Sequence, residues 1–208
     1  MNGPEEKIQG DSDLGYRAEI HLDDCPESPR EWDNLGKLYM REYVGDSLKF
    51  IDSIESALQD AAGTGAVAFQ VFVNDRMGDC HIGDNPIYFP FGQVSQDTLD
   101  GCRYWDGVIY CPREVYRKEY GGSDRAARKK AARYLRGEIE AYSQYASGDV
   151  WYIQILDAED ETVDSCGGFY GLEYAREEAA RMLKYCEESA REDKEKLAIM
   201  ESTEGAGI

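Results

Sequence analysis

The chain has 208 residues, 42% of them hydrophobic and 12% aromatic. That is enough to bury one core and too apolar for a disordered chain, although 31% of the residues are charged. Acids outnumber bases 42 to 23, for a net charge of -19; such a field repels nucleic acid and anionic lipid and draws in basic surfaces, so nucleic-acid binding by the whole surface is excluded as a mode of action. No apolar run approaches the roughly 18–20 residues of a membrane span, and Met1–Gly10 lacks a basic start followed by an apolar stretch. The expectation is a cytoplasmic protein without membrane association.

The charge is uneven. Residues 1–60 carry 15 acids and 6 bases, residues 61–156 carry 12 and 11, and residues 157–208 carry 15 and 6, so both ends are acidic and the middle is balanced.

In chain order, residues 1–14 lack a periodic apolar pattern and read as a flexible tail, as do residues 201–208. A single domain is expected over 15–200. From Tyr16 to Leu22, apolar residues alternate with Arg17, Glu19 and His21, which is the pattern of a half-buried strand. A loop with Pro26 and Pro29 leads to Trp32 and Leu35. Ile51, Ile54, Leu58 and Ala61 recur at helical spacing behind a cap at Asp46 or Ser47, and Gly63 and Gly65 stop the pattern. Ala66 to Val73 is a β-branched and aromatic run of strand type, followed by a polar loop from Asn74 to Asp84.

Val108 to Cys111 predicts another strand. Pro112 opens a short helix that closes before Gly121 and Gly122. Ser123 caps a long helix with the apolar stripe Ala127, Ala131, Leu135, Ile139 and Tyr142; Gly148 ends it, and Gly137 weakens its middle by about 1 kcal/mol relative to alanine. Val150 to Leu156 and Glu161 to Cys166 form a hairpin around an acidic turn. The last helix runs from about Leu172 to Met200. Without regular βαβ alternation, this order predicts an α+β fold, a mostly antiparallel sheet of about four to six strands covered by three main helices.

Two acidic segments stand out. Glu19 to Asp33 holds Glu19, Asp23, Asp24, Glu27, Glu31 and Asp33 against Arg30 alone, and Asp157, Glu159, Asp160, Glu161 and Asp164 have no base among them. Carboxylates held rigidly at the density of duplex phosphates would fit a surface built for nucleic acid, whereas a solvated face that keeps the chain soluble is the plainer reading. Trp32 is a candidate anchor for such a contact, with burial in the core as the competing role. Acids of the last helix at four-residue spacing from bases, such as Glu177 with Arg181 and Glu187 with Arg191, are expected to pair along it, leaving Glu178, Asp193 and Glu195 over. The basic stretch Arg125, Arg128, Lys129, Lys130, Arg133 and Arg136 is expected to pair with acids of its own fold.

The six cysteines have no CxxC spacing and read as thiols. Cys80, His81, Cys102 and Cys111 come nearest to a zinc set, but without paired ligands, so neither metal nor other cofactor is expected. No nucleophile motif or phosphate-cradling glycine loop is present. Asp164 to Gly171, with Gly167, Gly168 and Gly171, suits a tight turn between strand and helix.

The strings Glu27-Ser28-Pro29-Arg30-Glu31-Trp32-Asp33-Asn34-Leu35-Gly36, Gly137 to Tyr145 leading into Gly148-Asp149-Val150-Trp151-Tyr152, and Asp164 to Gly171 resemble a group of uncharacterised bacteriophage and mobile-element proteins, over residues 17 to 186. Residues 80–91 depart from that likeness. The resemblance carries no catalytic residues with it. It implies a setting in a bacterial or archaeal host, where small acidic phage proteins resemble anti-CRISPR or antirestriction factors. The functional expectation is therefore a non-enzymatic inhibitor binding the basic surface of a host nucleic-acid-binding complex by stoichiometric contact through Asp23, Asp24, Glu27, Glu31, Trp32, Asp33, Asp157, Glu159, Asp160, Glu161 and Asp164. Alternatives are an acidic accessory or structural phage protein, and an enzyme acting on a nucleotide signal or partner protein.

Overall fold

The computed structural model describes residues 4–41, 51–74, 79–89 and 92–204. Among them are nine strands, all paired antiparallel, and five helices, so the α+β class and antiparallel sheet hold. The strands divide between two sheets, and the chain contacts cluster into two compact units: Met1–Glu27 with Gly148–Ile208, and Ser28–Ser147.

The first unit is a four-stranded sheet in the order β1-β2-β8-β9, built from β1 (Glu6–Gln9), β2 (Arg17–Leu22), β8 (Val150–Leu156) and β9 (Thr162–Tyr170), with α5 (Leu172–Glu204) on one face. The alternation in β2 does what its period requires: Ala18 and Ile20 are fully buried with Ile153 and Ile155 of β8, under Ala175, Ala179 and Leu183 of α5. Residues 6–9, read from sequence as tail, instead pair with β2 from Glu6↔Ile20 to Gln9↔Arg17. Ile8 packs against the core, Arg176 of α5 binds Glu6, and just beyond the strand Arg191 binds Asp11, so strand pairing, one apolar contact and charge together tie this segment down.

The second unit is a three-layer sandwich. Its sheet runs β3-β7-β4-β5, from β3 (Lys37–Met40), β7 (Gly107–Cys111), β4 (Val67–Val73) and β5 (Cys80–Ile82), and β6 (Ile87–Tyr88) also pairs with β4. Both faces are covered, which is why β7 reads as a continuous apolar run and β4 as one broken only at Gln70. On one side Phe69, Val71, Ile109 and Cys111 pack against α3 (Arg113–Tyr120) and the Ala127, Ala131, Leu135 and Ile139 stripe of α4 (Asp124–Ser147). On the other, Ala68, Val108 and Tyr110 meet α1 (Ile51–Gly63) and α2 (Gln96–Cys102). The proposed α1 caps, Asp46 and Ser47, lie outside the described residues. Within the stretch read as the loop 74–84, Cys80–Ile82 pairs with Val71–Val73 as a strand.

Asp164 to Gly171 is not a turn. Gly167 and Gly168 lie inside β9 at a register shift against β8, with Gly168 at φ +77°, and Gly171 at φ +89° opens α5. A Cβ on Gly167 would approach Asp23 Oδ2 at 3.2 Å and Tyr152 Cβ at 3.5 Å. The glycines thus form a bulged strand over which Asp23 sits.

Candidate functional site

The first unit carries most of the charge: 24 acids and 8 bases give -16, against 18 acids and 15 bases, or -3, for the second. The β2–β8 register places its acidic groups. Arg17 pairs with Leu156 and Leu22 with Trp151, so the 157–161 turn lies at one end of the sheet and residues 23–27 at the other. Six residues of strand separate them by about 20 Å.

At the turn, Asp157 Oδ1 accepts from the backbone N–H groups of Glu159 (3.0 Å) and Glu161 (2.9 Å), and Asp160, at φ +66°, bonds Arg17 Nη2 at 2.6 Å. Asp157 therefore shapes the turn and Asp160 is neutralised. Glu159 and Glu161 remain exposed and, among the described residues, without a cationic partner. At the other end Asp23 accepts from Cys25 N (3.1 Å) and Gly168 N (3.3 Å), while Asp24 and Glu27 point their carboxylates to solvent. Asp164 accepts from its neighbour Ser165 N at 2.8 Å. Glu31, Trp32 and Asp33 belong to the second unit.

Glu19, counted among the acidic residues of this face, is buried and neutralised: Lys7 Nζ lies at 2.8 Å and Arg17 Nε at 3.1 Å. Burial raises its pKa, but the bonds to Lys7 and Arg17 outweigh that and hold it below the ordinary 4.5. A lowered folded value means that the stabilisation is complete above 4.5 and lost as pH falls through the folded pKa. Glu19→Gln is accordingly expected to flatten the acid limb of a urea-denaturation series between pH 6 and pH 3; an unchanged slope would remove Glu19 from the account.

Along α5, Arg181 pairs with Glu178 (2.8 Å) and Lys196 with Asp193 (3.1 Å), so two of the three acids expected to be left over are matched, at i,i+3 rather than i,i+4. Arg191 binds Asp11 instead of Glu187. At four-residue spacing, Lys184–Glu188 and Glu192–Lys196 do pair along the helix, each at 3.8 Å.

In the second unit residues 28–36 and 137–145 meet. Ser28 caps the 3-10 turn Pro29–Glu31, and Arg30 bonds Glu138 Oε2 (3.0 Å), Asn34 Oδ1 (3.3 Å) and the Gly36 carbonyl (2.8 Å). Glu138 Oε1 accepts from Leu35 N (2.7 Å) and Gly36 N (2.9 Å). A Cβ on Gly36 would collide with the side chains of Leu135 and Glu138, so the glycine lets the loop approach α4 without displacing them. The network fixes Trp32 at the surface, 45% exposed rather than buried in the core. Beside it runs a groove of about 540 Å³ between this loop, Tyr120 of α3, and the Lys130, Tyr134, Gly137 and Ala141 stripe of α4. Sequence reasoning passed over this groove.

The basic stretch of α4 does not pair as expected. Asp124 is taken by Arg113 (2.9 Å) and Arg117 (3.8 Å), and among the described residues none of Arg125, Arg128, Lys129, Lys130, Arg133 and Arg136 forms an ion pair. Several lie over aromatic rings instead, Arg128 at 4.4 Å from the centroid of Tyr88 and Arg136 at 4.7 Å from that of Phe69.

The candidate zinc residues are not gathered: Cys80 and Cys111 fill one core, Cys102 the other, and His81 stacks on Phe72. Burial, with the Glu138 charge, pushes the Cys111 thiol up to about 12. Cys25 and Cys166 are exposed. Alkylation of the native protein at pH 8 is expected to label Cys25 and Cys166 and to reach Cys80, Cys102 and Cys111 only in denaturant, as read by peptide mass spectrometry.

No helix among the described residues is long and apolar enough to cross a membrane. The chain matches no protein-family model, no curated protein and no solved structure.

Proposed function

We propose that this protein is an acidic inhibitor that binds, one to one, the basic nucleic-acid-binding surface of a host defence complex, in the anti-CRISPR or antirestriction setting that its sequence strings suggest. The observation that carries this reading is the concentration of -16 of the -19 charge in one folded unit. Within it Asp24 and Glu27 at one end of the sheet, and Glu159 and Glu161 at the other, stand exposed without internal cations among the described residues.

Their separation narrows the mode of contact. A duplex presents about twelve charges over about 20 Å, many more than these two ends offer, so the binding is a two-point electrostatic engagement rather than a continuous phosphate replica. Electrostatics then sets encounter rate and orientation.

The test is competition. Added at equimolar amounts to a purified guide-loaded or restriction complex, the protein is expected to prevent a DNA mobility shift, with the effect weakening as salt rises. The amide variant Asp24→Asn/Glu27→Gln/Glu159→Gln/Glu161→Gln is expected to inhibit at least tenfold less with an unchanged melting temperature. Equal inhibition by the variant would sink the reading, and inhibition far below stoichiometry would point to turnover instead.

A further inference from the structure

We propose that the outward face of α4 binds a single strand of nucleic acid by its phosphates, through Arg125, Lys129 and Arg133. The face lies wholly within Ser28–Ser147, so this goes beyond the inhibitor reading and does not depend on the acidic unit.

Charge in the second unit is layered. Helices α1 and α2, on one side of its sheet, hold five acids and no base. Helices α3 and α4, on the other side, hold nine of the unit's 15 bases against five acids. The small net charge of this unit therefore hides an acidic layer and a basic one. Two acids of the basic layer are already matched, Asp124 by Arg113 and Arg117, and buried Glu138 by Arg30.

Helical geometry then sorts the bases. Ala127, Ala131, Leu135 and Ile139 turn inward, which puts Arg125, Lys129 and Arg133 on the outer side at steps of four residues. Each step is about 6 Å along the axis. All three are exposed, and they make no ion pair, hydrogen bond or ring contact among the described residues. Their neighbours differ: Arg128 and Lys130 lie over Tyr88 and Tyr120, and Arg136 donates to the Asp84 carbonyl. Exposed Glu140 closes the row beyond Arg136.

This arrangement is unfavourable for the helix alone. Like charges four residues apart repel, and Arg125, in the first turn, also faces the positive end of the helix dipole. Nothing among the described residues offsets either effect, although the chain has 42 acids. A line of phosphates removes both, because it neutralises the row and sets negative charge near the helix start. Guanidinium groups suit the task, since their forked donors match phosphate oxygens. The chain's -19 opposes any polyanion, but at physiological salt the screening length is about 8 Å, close to one step of the row. A bound phosphate therefore responds mainly to α4 itself. That condition favours a flexible single strand, which can follow one helix face, over a duplex, which brings many more phosphates toward the acidic remainder.

Fluorescence anisotropy of a labelled oligothymidylate, titrated with the full chain, tests this. Saturable binding is expected below about 100 µM at physiological salt, the range of sequence-independent contacts. With three phosphates held, affinity should fall about tenfold for a threefold rise in salt. Arg125→Gln/Lys129→Gln/Arg133→Gln is expected to weaken binding at least tenfold with a melting temperature no lower than the parent's, because the repelling row is gone. The Asp24→Asn/Glu27→Gln/Glu159→Gln/Glu161→Gln variant should hold the oligonucleotide at least as tightly as the parent while inhibiting less, so that failure of one proposal leaves the other standing. Absence of saturable binding, affinity indifferent to salt, or parent-like binding by the glutamine variant would each overturn the assignment. Polyglutamate that displaced the probe more effectively than unlabelled oligothymidylate would overturn it too, and would give the face to an acidic protein surface instead.

Discussion

Replacing Glu138 by alanine is expected to lower the stability of the 28–147 unit by about 3–5 kcal/mol, the range for breaking a buried ion pair by removing one partner. The side chain is 5% exposed and serves both ends of a network: Oε2 takes Arg30, and Oε1 takes the N–H groups of Leu35 and Gly36. Its removal leaves two backbone donors without an acceptor and the Arg30 guanidinium without its counter-charge. Arg30 also holds Asn34 and the Gly36 carbonyl, so the loop bearing Trp32 should loosen along with the global loss. Glu138→Gln keeps one oxygen for the two N–H groups but loses the charge and sets an amide NH2 where Oε2 accepted from Arg30, so its cost should fall below that of alanine without vanishing. Urea unfolding of the two variants and the parent checks the order. A Glu138→Ala loss under about 1 kcal/mol would mean that the loop is held by something other than this carboxylate.

That network shows what the sequence could and could not reveal. Pro112, Gly121, Ser123 and Gly148 mark the ends of α3 and α4 by local backbone chemistry, and each boundary is where those residues put it. The strand β4 was legible because both its faces are covered and all its residues except Gln70 are β-branched, aromatic or alanine. The short strands β1, β3, β5 and β6 were not, since two to four residues carry no period and each owes its form to a partner strand. The division into two sheets is likewise a matter of which strands pair, and β2 finds β8 across some 130 residues of chain.

The acidic segments were visible as composition, but their roles were not. Asp23 and Asp160 resemble Asp24 and Glu159 in sequence, and only distant partners, Gly168 and Arg17, separate structural acids from free ones. The groove was hidden for the same reason, since Trp32 and Tyr134 come from segments about a hundred residues apart. Its trace in the sequence was Gly137, a poor helix former inside an otherwise strong helix.

For the acidic unit, Ile153→Ala is expected to cost about 2–5 kcal/mol, because Ile153 is fully buried between the sheet and α5 and the cavity left behind cannot be filled by the small residues Ala18, Ala175 and Ala179 that share its core. Ile153→Val, which removes one methylene, should cost about 0.5–1.5 kcal/mol. Hydrogen exchange at the β8 amides reports the loss locally, and urea melts report its size. The consequence for function follows from geometry. The carboxylates at the two ends of the sheet keep their spacing only while β2 and β8 stay in register, since a slip of one residue would turn Glu19 toward the core and Ile20 out of it. Partial loss of this core should therefore weaken the proposed inhibition together with exchange protection, whereas the amide variants should weaken it with protection intact. If Ile153→Ala lost β8 protection and still inhibited at full strength, the contact would not depend on the fixed spacing of the two ends, and a diffuse charge effect would have to replace it.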